Sequence, residues 1–184
     1  HMEELGSLLY FDENLSTPAG MSCASCHDPI AGFADPDTDI PVSQGIVSTR
    51  FGNRNSPSAA YAAFSPVFHY DEGEELYAGG QFWDGRAATL TEQAKDPFLN
   101  PLEMKNPNKK IVVRKVLRSD CADLFVEVWG PDAFDDTDMA YDRIAESIAE
   151  FERTDELNQF SSKYDRYLAG DVDLTTQEAF GLEM

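Results

Sequence analysis

Apolar positions recur along this chain with the period of helices and almost never with that of strands. Leu5, Leu8 and Leu9 give the segment Glu3–Tyr10 one apolar face, a short helix. Val112, Val113, Val116 and Leu117 mark a second helix; Leu124, Phe125, Val128 and Trp129 mark a third, ended by Gly130-Pro131. Ile144, Ile148 and Phe151 form the cleanest stripe, at i, i+4 and i+7. Asp84 reads as the N-cap of a helix running to about Lys95 and stopped by Pro97. A last helix starts near Leu174-Thr175-Thr176-Gln177-Glu178 and still runs at Met184. Alternation never lasts beyond a few residues, so the fold class is all-α with long ordered loops.

The loops carry the rest of the information. Thr17-Pro18-Ala19-Gly20 is a turn, and Pro29 to Pro57 is rich in Gly, Pro, Asp, Asn and Ser without periodicity. A stretch of that length inside a domain is usually functional, and it is long enough to wrap a large prosthetic group. Short apolar pieces at Ala59–Phe64 precede an acidic loop, Asp71–Glu75.

Composition narrows the classes. With 184 residues, 42% of them hydrophobic, and 12 Phe and 7 Tyr, the chain can bury a sizeable core. His1-Met2 reads as a remnant of recombinant expression, leaving residues 3–184 as one domain. No run approaches the roughly 18 apolar residues of a membrane span. Thirty-four acidic against 14 basic residues give a formal charge of −20, which repels nucleic acid and anionic membranes. The same surface suits a basic protein partner or is simply a solvated acidic exterior.

Cys23-Ala24-Ser25-Cys26-His27 decides the chemistry. Two thiols three positions apart followed by an imidazole match the attachment site of a c-type haem. The thiols can add to two vinyl groups of one porphyrin while His27 meets the iron from the proximal side. A redox dithiol would sit beside a βαβ pattern, which is absent. A structural zinc site needs about four Cys or His ligands in paired clusters, and only Cys121, His69 and His1 remain, without a second pair. Cys121 lies in a helical pattern and reads as a small packed apolar residue.

Several segments together resemble the bacterial dihaem cytochrome c peroxidases, a group that also includes MauG. They are Leu5-Gly6-Ser7-Leu8-Leu9-Tyr10-Phe11-Asp12, Ser22–Pro29, Gly52-Asn53-Arg54-Asn55-Ser56-Pro57-Ser58 and Gln81-Phe82-Trp83-Asp84-Gly85-Arg86-Ala87. Thr91-Glu92-Gln93-Ala94, Asn100-Pro101-Leu102-Glu103-Met104 and Ala149-Glu150-Phe151-Glu152-Arg153-Thr154 follow in the same order. The resemblance implies a cytochrome c-like haem domain with extra helices, the N-terminal peroxidatic half of the family pattern. It implies one covalently bound haem c here and a second haem domain of the same polypeptide, absent from this sequence.

The resemblance also implies roles. Glu103 matches the distal carboxylate that moves a proton during cleavage of hydrogen peroxide, and Gln93 a distal amide that hydrogen-bonds peroxide or water. Trp83 matches a tryptophan that relays electrons between the haems, although a large core aromatic is the plainer reading of the residue itself. Asn55 matches a calcium ligand at the domain junction. Arg54 and Arg86 are candidates for the haem propionates or for plain surface ion pairs.

One position departs. Many family members place a histidine directly after the glycine that matches Gly45, where it caps the iron; here it is Ile46, which cannot ligate. Either the iron is open, or His69 reaches over as a distal ligand. The expected activity is peroxide reduction with electrons from a small cytochrome or cupredoxin, in the periplasm, where thioether haems are completed. The alternatives are an electron-transfer or sensing cytochrome, and a MauG-like oxidase of a protein side chain.

Overall fold

The computed structural model describes residues 1–184. The chain forms seven helices: α1 (Met2–Phe11), α2 (Leu90–Leu99), α3 (Lys109–Val116), α4 (Ala122–Trp129), α5 (Thr137–Phe151), α6 (Lys163–Leu168) and α7 (Thr176–Glu183). Helix α5 is the central element. The stripe Ile144, Ile148 and Phe151 is buried, with Ala140, Tyr141 and Ala145 filling the same face, and α1, α2 and α3 pack around it. Burial on three sides of one amphipathic helix, rather than helix propensity, holds the core.

The α1–α5 crossing is unusually close. A Cβ on Gly6 would lie 1.9 Å from the Ser147 carbonyl oxygen, so only glycine fits there. Helix α1 buries Leu5, Leu9 and Tyr10 but leaves Leu8 49% exposed. The predicted apolar face was therefore rotated: Tyr10 takes the place assigned to Leu8, its ring edge-on to Phe151 at 5.2 Å.

Caps set the helix starts. Asn108 accepts from Ile111 N at 3.1 Å, and Asp136 from Met139 N at 2.8 Å. Helix α2 begins later than the sequence suggested. Thr89 is its cap, accepting from Glu92 N at 3.2 Å, because the Asp84 carboxylate is engaged by two arginines instead. It also runs past Pro97 to Leu99, where the missing N–H costs only one bond of the final turn. Helix α6 carries no buried residue, which explains why no apolar stripe announced it.

Between α1 and α2 the chain is mostly loop, stiffened by short 3₁₀ turns at Glu13–Leu15, Cys23–Ser25, Pro29–Ala31 and Ala62–Phe64. A small hairpin departs from the helical plan: β1 (His69–Asp71) pairs antiparallel with β2 (Leu76–Ala78), His69 opposite Ala78. The acidic loop Asp71–Glu75 is its turn. Three-residue strands lie below what alternation can reveal. No helix is long and apolar enough to cross a membrane.

Candidate functional site

The loops and the core enclose a cavity of about 400 Å³, within the usual range of ligand sites. Its inner wall begins with the cysteine turn. Cys26 N and His27 N both donate to the Cys23 carbonyl, at 3.1 and 3.0 Å, and Ser22 and Ser25 cap each other across the turn. This winding presents Cys23, Cys26 and His27 to one space. His27 Nδ1 donates to the Phe33 carbonyl at 3.2 Å, which fixes the tautomer and leaves Nε2 as the lone-pair nitrogen. Burial lowers the His27 pKa, partly offset by the carbonyls of Phe33 and Pro57, so the ring favours its neutral, ligating form.

The thiols behave unlike a redox dithiol. Burial raises the pKa of Cys23, and Cys26 is pushed up to about 11 by burial, against a hydrogen bond with Ser43. A catalytic C-x-x-C pair shows the opposite shift. Nor does any group of three or more His, Cys, Asp or Glu side chains converge as a metal cluster.

Glu103 and Gln93 line the same cavity as the cysteines. Glu103 is half-buried, and Asn100 Nδ2 donates to its Oε1 at 2.7 Å. Burial first, then the Asp96 charge, raises its pKa above the usual carboxylate value. Its main-chain oxygen accepts from Ile46 N at 3.0 Å. That contact requires Gly45, where a Cβ would stand 2.0 Å from the Leu102 oxygen. Ile46 turns its side chain towards the hydrophobic core and is not among the cavity-lining residues.

The outer rim is charged. Arg54 donates to Asp84 Oδ2 at 2.8 Å and Arg86 to Asp84 Oδ1 at 3.0 Å, and the Arg86 guanidinium lies 3.6 Å over the Phe82 ring. The two arginines hold the Asp84 carboxyl down to about 2. Both are thus surface ion-paired while still lining the cavity. Trp83 is no core aromatic: it is 64% exposed, and Nε1 donates to the Asn55 carbonyl at 2.8 Å. Asn55 lines the cavity too, its Nδ2 donating to the Pro41 oxygen at 3.2 Å.

His69 is elsewhere. It sits on β1, outside the cavity lining, with Nδ1 donating to the Val67 oxygen at 2.9 Å, so the fold does not bring it opposite His27. Among the cavity residues not singled out from the sequence, Met21, Met104 and Glu152 carry groups that could act on a haem. Methionine in a C-x-x-C-H chain is a signal that could have flagged the first two.

Two thiols, a neutral imidazole and a largely apolar enclosure on a helical scaffold define the class of c-type haem proteins, and the donor set fits that group. The profile of the di-haem cytochrome c peroxidases matches residues 1–173, and the chain belongs to that family. It is 43% identical over 182 residues to the methylamine utilization protein MauG of Paracoccus denitrificans, covering 96% of this chain and 46% of that protein. It is 36% identical over 183 residues to the cytochrome c peroxidase Ccp of Escherichia coli, covering 98% and 34%. The diheme peroxidase BthA from Burkholderia thailandensis has the same fold, with a TM-score of 0.89 and 36% identity over 98% of this chain and 45% of that one. The chain thus spans a third to a half of the length of these relatives.

Proposed function

We propose that this chain is a c-type haem domain that reduces hydrogen peroxide to water, with electrons relayed from a second haem domain of a longer polypeptide. The observation that carries this reading is one cavity lined by Cys23, Cys26 and His27 and also by Glu103 and Gln93. Cys23 and Cys26 would hold haem c through thioethers, and His27 through Nε2. Bound there, the haem supplies the iron at which peroxide accepts two electrons.

The chain's own residues handle binding and protons. Gln93 offers an amide to hydrogen-bond and orient the peroxide. Glu103, oriented by Asn100, takes the proton from one peroxide oxygen and delivers it to the other, which leaves as water. A carboxyl whose pKa burial raises above the usual carboxylate value is better suited to both halves of that transfer. Ile46 offers no ligating atom, which supports an iron open to peroxide. Arg54 and Arg86, paired at the mouth with Asp84 and, for Arg86, also with Asp96, are the cations that would meet the propionates. Trp83 is the electron relay, Asn55 a calcium ligand completed by the adjoining domain, and a small cytochrome or cupredoxin the donor. Thioether haem attachment supports a periplasmic location.

Two observations favour other readings. The exposed Trp83 indole suits a MauG-like oxidation of a protein side chain, and the cavity-lining Met21 and Met104 offer thioethers of the kind that ligate electron-transfer haems. Absorption and EPR spectra of the oxidised, haem-loaded chain, before and after peroxide, separate them. The peroxidatic reading expects high-spin iron and a rapid spectral change. Low-spin iron indifferent to peroxide, in both the parent chain and His69→Ala, would overturn it. An oxidase would share the peroxide reaction and differ in turning over only when a protein substrate is supplied.

A further inference from the structure

Glu152 is the only buried carboxylate in the molecule, and none of the reactions above uses it. It follows the last residue of α5 and lines the haem cavity together with Ile148, one turn earlier. Only 6% of it is exposed. Its main chain is fully engaged: N donates to the Ile148 oxygen at 3.0 Å, and the carbonyl accepts from Asn158 Nδ2 at 2.9 Å. Its Oε2 has no hydrogen-bond partner at all. A buried carboxylate left without a partner is costly, so the group is held in its protonated form unless something compensates.

The surroundings offer little compensation. From α1 it faces Tyr10, and from the cysteine turn Cys23; neither carries positive charge. Arg153 is the one cation acting on it, and that guanidinium is already paired with Glu150 at 3.2 Å. The lysines that α2 and α3 direct at α5 or at the end of α1 are engaged elsewhere: Lys95 on Asp142, Lys109 on Asp138, and Lys115 on the Asn14 and Ser16 carbonyls. The C-terminal end of α5 adds negative potential. Burial accordingly pushes the carboxyl up to about 8, with Arg153 pulling slightly the other way.

Cys23, which would be one of the two attachment points of the porphyrin, therefore shares its poorly screened cavity with a protonatable group whose charge acts on it. Charge added to the haem acts on that group with little water between. We propose that Glu152 is the redox-linked proton site of this domain: the extra positive charge of the oxidised haem compensates the ionised carboxylate, one electron arriving at the haem iron from an external one-electron donor removes that compensation and draws one proton from solvent onto Glu152, and oxidation releases it. Electron and proton then enter together, and the net charge of the cavity stays constant between the two oxidation states. This inference rests on the haem-binding reading above.

The test is a spectroelectrochemical titration of the haem-loaded chain with redox mediators, from about pH 6 to about pH 10, spanning the expected protonation step. The midpoint potential should fall with rising pH, approaching about 59 mV per unit, the one-electron equivalent of a tenfold change in proton concentration. Glu152→Gln should flatten that slope, and Asp138→Asn, at the exposed far end of α5, should keep it. A pH-independent midpoint in the parent chain, or an unchanged slope in Glu152→Gln, overturns the proposal and leaves the haem intact as a redox centre. Absence of any haem wave would instead mean that the haem-binding reading fails. If Glu152→Gln does not fold, the redox-difference infrared spectrum of the parent chain decides: reduction must produce a protonated-carboxyl band, and its absence overturns the proposal.

Discussion

The inner wall and the outer rim of the cavity are made by opposite physical means. On the inner wall, Cys23, Cys26 and Glu152 have few polar partners and are shifted towards their neutral forms by burial. On the rim, Asp84 stands in water between Arg54 and Arg86, and its charged form is favoured by those ion pairs. Burial gives a wall that is rigid and neutral, suited to holding a large apolar group in one place. Ion pairs in solvent give a rim that is charged and adjustable at little cost, suited to contacts with propionates and partners. The central helix explains the asymmetry: α5 carries Ile148 and leads directly into Glu152, so the inner wall is an extension of the hydrophobic core. The rim comes from loops.

Substitutions can sharpen or break this contrast. The largest effect belongs to the inner wall: Cys23→Ala with Cys26→Ala should abolish covalent haem completely, read as the intact mass of the denatured protein. Next comes the core behind that wall. Ile144→Ala, fully buried, should lower stability in urea by about 2–5 kcal/mol; a loss much below this would mean that α5 is not the central support. Glu152→Gln follows, with an effect that depends on pH. Because the folded pKa of Glu152 is raised, the folded chain holds a proton that the unfolded chain releases above about pH 4.3. Its protonation therefore favours folding least at high pH: stability falls as pH rises from about 4.3 towards about 8. The parent chain should lose stability over that window in urea titrations, and Glu152→Gln should lose less. The smallest effect is expected at the rim. Asp84→Asn should leave the thermal midpoint at neutral pH nearly unmoved; whatever its ion pairs contribute is lost only in strong acid, as the carboxyl titrates near 2. A large rim effect would erase the distinction between the two walls.

The same contrast separates what could be read in the sequence from what could not. The α5 stripe was legible because one helix face is buried along its whole length, and the cysteine turn because its chemistry is local. Leu8 and Tyr10 were exchanged because three apolar residues in a short helix cannot say which of them faces α5. Asp84 passed for a helix cap because its actual partners, Arg54 and Arg86, include one thirty positions away. Trp83 looked like core, since nothing in the sequence shows that its indole remains outside. His69 could be placed opposite His27 only while the β1–β2 hairpin was unseen. Glu152 looked like any helix-end glutamate, and its isolation exists only once α1, α5 and the cysteine turn have closed around it.

The central claim is that the carboxyl inside the cavity, and not the charged rim, does the proton work on peroxide. Stopped-flow mixing of the haem-loaded Glu103→Gln variant with hydrogen peroxide tests it most directly, with Asp84→Asn as the rim comparison. The account predicts a rate about 10²–10⁴-fold lower for Glu103→Gln and a near-parent rate for Asp84→Asn. An unchanged rate in Glu103→Gln, or an equal loss in both variants, would contradict it.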